Sequence, residues 1–118
     1  MIQNILTFYR ILDLVLYWFL EVFYYNLDKR MKKPKQLERY FKGAANHWRI
    51  SILLLVDKNP GLSVEEITEI LDGNFKNISQ HTRTLVRAGL LNKKYQGRNV
   101  IHFLSPYGKK FVEFIKNF

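Results

Sequence analysis

The sequence predicts a mainly α fold with one small β-hairpin. Three observations predict it: apolar residues recur at helical spacing along most of the chain, cap residues bound those stretches, and one pair of short β-type runs flanks a glycine turn. With 118 residues, one domain is the default, and 47% hydrophobic residues suffice for a core.

The first helix is expected over about Asn4 to Asp28. Gln3, Thr7, Arg10, Tyr17, Glu21, Tyr24 and Asp28 follow steps of three, four or seven and form one polar stripe. Ile2, Ile5, Tyr9, Leu12, Leu16, Phe19 and Phe23 step alternately by three and four, which is an a/d seam. Leu6, Val15, Leu20 and Leu27 widen this dry face. Such a helix is about 38 Å long at 1.5 Å per residue. One small domain offers little to cover it, so a two-fold partner is expected to bury the seam.

The same stretch invites comparison with a membrane span. Asp13 and Glu21 interrupt it, and an Asp near a span centre costs about 2.5–3.5 kcal/mol. Its polar residues gather on one face, which suits packing against protein better than lipid all round. The N-terminus has no basic n-region and no small-residue cleavage site, so a cytoplasmic location is expected.

A basic joint follows, with Lys29, Arg30, Lys32, Lys33 and Lys35, and Pro34 separates the first helix from the second. Residues 1–33 thus read as a dimerisation helix and joint, and residues 34–118 as the folded domain. The second helix carries Leu37, Tyr40 and Phe41 and ends near Gly43. The third is expected from about Ala45 to Asp57, with Trp48, Ile52, Leu55 and Val56 on one face. Asn59-Pro60-Gly61 then turns the chain.

Ser63-Val64-Glu65-Glu66 is a capping box, and its glutamates favour the positive end of the helix dipole. Ile67, Ile70 and Leu71 are expected to face inward. Asp72-Gly73-Asn74 makes a tight turn, with Phe75 supplying an apolar contact beside it. A fifth helix runs from about Phe75 to Ala88, with Ile78, Leu85 and Val86 inward, and Asn77 or Ser79 can cap it. Gly89 ends it. Leu91 to Gln96 and Val100 to Leu104 form the hairpin around Gly97-Arg98-Asn99. Ser105-Pro106 caps a last helix whose dry face is Phe111, Phe114, Ile115 and Phe118. That face is expected to join the seam at the interface. Two helices across a tight turn, then a hairpin and a helix, is the order of a winged helix-turn-helix, here with an additional long N-terminal helix.

Charge is divided along the chain. The whole carries nineteen basic against ten acidic residues, a balance that points toward nucleic acid or an anionic membrane surface. From Asp57 to Asp72 there are five acids against Lys58. From Phe75 to His102 there is no acid, but there are Lys76, Arg83, Arg87, Lys93, Lys94 and Arg98. A surface that meets phosphates needs this arrangement.

The early outward residues of the fifth helix are then the candidates for the major groove: Lys76, Asn77, Ser79, Gln80, His81 and Arg83. Asn and Gln can pair with adenine, and Lys with guanine; Ser79 and Thr82 suit phosphate or base contacts. Lys93, Lys94, Arg98 and Asn99 of the hairpin are the candidates for backbone or minor groove.

Phe41-Lys42-Gly43-Ala44-Ala45-Asn46-His47-Trp48-Arg49 resembles the opening helix of the ArsR family. Leu62-Ser63-Val64-Glu65-Glu66-Ile67 resembles that family's first helix-turn-helix element, and Ser79-Gln80-His81 with Leu85 and Ala88-Gly89-Leu90-Leu91 its recognition helix. Gly97-Arg98-Asn99-Val100 resembles its wing tip. The resemblance spans residues 37–118 and implies a dimeric winged-helix repressor of a palindromic operator. Thr82 departs from the usual Leu and implies looser packing of the recognition helix.

The chain has no cysteine, which excludes disulfides, thiolate metal sites and cysteine nucleophiles. His47, His81 and His102 are scattered, so no metal or other cofactor is expected. No triad, phosphate loop or apolar carboxylate pair suggests an enzyme. If an effector exists, Trp18, Phe19, Tyr40 and Trp48 are the aromatic residues available for a pocket, and core packing explains them equally well. Two other classes stay open: a winged helix for protein or RNA contacts, and a peripheral membrane protein with the first helix on lipid and the basic joint on headgroups.

Overall fold

A computed structural model describes residues 2–118, apart from the side chains at positions 2, 3, 27 and 28. The places of Ile2 and Leu27 in the seam, and of Gln3 and Asp28 in the stripe, therefore lie outside the described residues. The element order is α1 (Ile2–Arg30), α2 (Pro34–Ala44), α3 (His47–Lys58), α4 (Val64–Leu71), α5 (Phe75–Arg87), β1 (Leu91–Gln96), β2 (Asn99–Leu104) and α6 (Pro106–Lys116). The chain divides into two compact units, residues 1–34 and 35–118.

The first unit is essentially α1. Every described side chain of residues 4–26 is exposed, those of the a/d seam included. Phe8, Ile11, Trp18 and Tyr25 are exposed as well, so apolar surface extends well beyond the seam. Among the described residues, no helix is long and apolar enough to cross a membrane.

The second unit holds the core. Ile52, Leu53 and Val56 of α3, Ile67 of α4, and Ile78 and Leu85 of α5 are all but completely buried. So are Leu90, Leu91 at the start of β1, and Val112 of α6. Local signals fix the element ends. Asn46 caps α3 by accepting from the amides of Trp48 (2.9 Å) and Arg49 (3.3 Å). The Ser63 box forms in both directions: Ser63 Oγ accepts from Glu66 N at 3.2 Å, and Ser63 N donates to Glu66 Oε1 at 3.3 Å. Ser105 caps α6, with Pro106 in its first turn.

Three expectations need correction. Ile70 is 55% exposed, because α4 turns only Ile67 fully inward and leaves Leu71 half-buried. Phe75 is 50% exposed; Ile78 and Trp48 close around Gly73 instead. The cap of α5 is Asn74, not Asn77 or Ser79, and accepts from Asn77 N at 3.2 Å. In α6, Gly108 and Val112 face the core, and the phenylalanine face expected at the interface is half-buried at Phe111 and Ile115 and exposed at Phe114 and Phe118.

The hairpin pairs Leu91 with Leu104 through Gln96 with Asn99, leaving Gly97 and Arg98 as a two-residue turn. Gly97 has φ +62° and Arg98 does not have a positive φ, which is the type II′ pattern with glycine first. A short third bridge has no signal in the sequence. Leu62 pairs with His102, with Gly61 N donating to His102 O and His102 N to Leu62 O, each at 2.9 Å.

Candidate nucleic-acid interface

α5 is strongly two-faced. Ile78, Thr82 and Leu85 are buried, while Lys76, Asn77, Gln80, Arg83 and Arg87 are exposed. Lys76, Gln80, Arg83 and Arg87 step by four, three and four, so they form one outward stripe along the helix. Asn77 flanks it on one side and half-buried Ser79 on the other. Thr82 is not available to a ligand: it is 1% exposed and its hydroxyl donates to Ile78 O at 2.8 Å. That bond also answers the expectation of looser packing, since the buried hydroxyl is satisfied within its own helix.

The hairpin leaves the core at once. Leu91 is buried, and every residue from 92 to 99 is exposed, including Lys93, Lys94, Arg98 and Asn99. Successive strand residues face opposite sides. Lys93 therefore turns toward α5, where it shares a 210 Å³ pocket with Ser79, Arg83 and Arg87, while Lys94 points to the other face. Among the described residues, none of Lys76, Arg83, Arg87, Lys93, Lys94 and Arg98 is paired with a carboxylate. Arg87 belongs with Arg83 and Lys93, although the amino-acid sequence alone marks it only as part of the basic stretch. The signal for its place is its i+4 spacing from Arg83.

The three histidines separate by role. His102 is buried and its Nδ1–H donates to Leu62 O at 3.0 Å, pinning the hairpin to the segment before α4. His47 lies beside the Trp48 ring, centroids 5.3 Å apart. His81 is half-buried on the flank of α5 next to Arg49 of α3. Among the described residues, no three His, Cys, Asp or Glu side chains converge on a possible metal site.

The unit 35–118 is a winged helix-turn-helix: α4 and α5 across a tight turn, then the β1–β2 wing. A family model described as "Bacterial regulatory protein, arsR family" matches residues 48–93, from α3 into the wing. HlyU from Vibrio cholerae N16961 is 30% identical; the match covers 74% of this chain and 96% of HlyU, with a TM-score of 0.65. Lower in identity, and so informative on fold alone, are two others at 22%. Mb0332 from Mycobacterium bovis, a homodimeric winged helix-turn-helix DNA-binding domain, covers 70% of this chain and 76% of its own, TM-score 0.64. The transcriptional repressor PagR of Bacillus anthracis covers 69% and 93%, TM-score 0.63. A comparison with curated proteins finds no match. The chain belongs to the ArsR family of bacterial regulatory proteins, and its class is that of DNA-binding transcriptional regulators.

Proposed function

We propose that this chain is a homodimeric repressor that binds a palindromic operator, with residues 1–33 as dimerisation helix and joint and residues 34–118 as the DNA-binding domain. The observation that carries it is the continuous exposed cationic surface of α5 and the wing, free of acids from Phe75 to His102. In this reading Lys76, Asn77, Gln80 and His81 face the major groove. Ser79, Arg83, Arg87 and Lys93 hold backbone phosphates beside it, and Lys94, Arg98 and Asn99 reach the backbone or minor groove further out.

The second copy enters through apolar surface. Ile5, Tyr9, Leu12, Leu16, Phe19 and Phe23 of α1 are 40–65% exposed in the single chain. On the second unit, Phe41, Phe111 and Phe114 line an apolar hollow of 240 Å³, with Phe41 and Phe111 edge to face at 5.2 Å. Surfaces of this kind on a lone chain are aggregation-prone, and a two-fold interface buries the same patch twice.

Selection of bound duplexes from a random pool, followed by a salt titration, tests the DNA reading. A palindromic consensus is expected, with a log–log salt slope of about −0.9 per phosphate contacted. A chain that enriches no sequence, or whose affinity ignores salt, overturns it.

A further inference from the structure

His81 stands in an unusual contact for a residue on a DNA-facing helix. Its Nδ1 lies 3.3 Å from Arg49 Nη1, and Arg49 Nη2 donates to Lys42 O at 3.3 Å. The guanidinium is thus fixed at two points, from α2 and α5. Arginine carries only donors and does not lose its proton in a protein. The Nδ1 that faces it must therefore be the bare, accepting nitrogen. In neutral imidazole the proton then sits on Nε2. His81 Nε2 is neither buried nor paired among the described residues. Arg49 also gives something up for this position, since its Nε is buried without a partner.

We infer that Arg49 locks His81 as the Nε2–H tautomer, so that the recognition helix presents a fixed neutral donor to a hydrogen-bond acceptor on the bound duplex. The inference rests on α5 being the DNA-contacting helix. Arg49 is a positioning residue; His81 makes the contact. A protonated ring would point an N–H at the guanidinium, so the pair works against protonation. Consistently, His81 is held below the usual histidine range by its partial burial first, then by the charges of Arg49 and His47. The contrast with His102 is chemical: a carbonyl faces that ring's Nδ1, so its proton sits there instead. The acceptor is an oxygen or nitrogen of a base edge or of a phosphate, and the two sources leave different signatures.

Long-range ¹H–¹⁵N spectra of the full, DNA-free chain at neutral pH read the tautomer directly. The wild type is expected to show His81 with an unprotonated Nδ1 and a protonated Nε2, and Arg49→Met to give a mixed or partly protonated ring; Arg49→Lys, which keeps a donor there, restores the wild-type pattern. On a selected duplex, His81→Phe is expected to weaken binding about two- to tenfold, the worth of one hydrogen bond. His81→Gln, whose amide N–H replaces Nε2–H, retains most of the affinity. A loss confined to one base pair identifies a base acceptor, and an equal loss on all sequences a phosphate. A wild-type His81 protonated on Nδ1, an Arg49→Met ring identical to wild type, or His81→Phe binding at full strength overturns the inference with DNA binding intact. Failure of the wild type to bind any duplex removes the reading of α5 beneath it. The wild-type spectrum and the His81 variants decide the matter even if Arg49→Met fails to fold.

Discussion

α1 and the winged unit are both rich in apolar residues, yet they use them in opposite ways. In residues 35–118 the large apolar side chains at helical spacing close on one another, and Ile52, Leu53, Ile67, Leu85 and Leu90 lose all contact with water. In α1 the described side chains are exposed without exception, from Ile5 to Tyr25. The difference lies in what surrounds each stretch. α3, α4 and α5 are short helices joined by tight turns, so their dry faces can meet. α1 is 29 residues of a single helix, and a helix cannot bury its own side chains. Hydrophobicity therefore marks a core in one region and an exposed apolar surface in the other.

The comparison breaks most sharply on oligomeric state. Leu12→Asp/Phe19→Asp places two charges in the seam, and sedimentation of the intact chain is expected to turn from dimer to monomer. A monomeric wild type, or a double variant that remains a folded, operator-binding dimer, would exclude the seam as the interface.

In the winged unit the expected penalty is on folding. Leu53→Ala should cost about 2–5 kcal/mol in denaturant unfolding, as for buried leucines generally. Gly108→Ala should destabilise the same unit, because a Cβ there would overlap the carbonyl oxygen of Leu90. If Leu53→Ala unfolds at the wild-type denaturant concentration, the core assignment is mistaken.

A finer contrast lies within the interface. Gln80→Ala should cost about 1–3 kcal/mol at particular base pairs and relax sequence preference. Lys94→Ala/Arg98→Ala should weaken operator and random DNA by similar factors, since backbone contacts carry no sequence information. A loss confined to the operator for the wing pair would reverse their roles.

The smallest effect concerns pH. His81 binds its proton less readily in the folded chain than in the unfolded one. Its contribution to stability is therefore complete above about pH 6.5, the unfolded value, and is lost as pH falls below it. Melting temperatures of wild type and His81→Gln should diverge only on the acid side, by a modest amount because the ring is partly solvated. Curves that stay parallel from neutral to acid pH would contradict it.

Much of the fold and of the basic surface is legible in the amino acids alone. Cap chemistry is local, so Ser63-Val64-Glu65-Glu66 and Ser105-Pro106 announce α4 and α6. Charge is additive along a chain, so the acid-free stretch announces the basic stripe, and the ArsR resemblance agrees with it. Helical spacing does not reveal that α6 turns Gly108 and Val112 to the core, because both are small and the phenylalanines louder. Ile70 and Phe75 mislead for a related reason: spacing identifies a face, but only neighbouring elements decide how wide the buried arc is.

The sequence by itself determined the order of elements, their ends and the sign of the surface, since each depends on residues within a turn or two of one another. Tertiary structure alone decided what lies far apart in the chain: Lys93 beside Arg83 and Arg87, Leu62 bridged to His102, and Arg49 against His81 across 32 positions. Those contacts depend on how α3, α5 and the hairpin pack around a shared core, and packing is a property of all of them together. The proton on His81 follows from that packing too, because the fold brings the Arg49 donor to the ring's Nδ1.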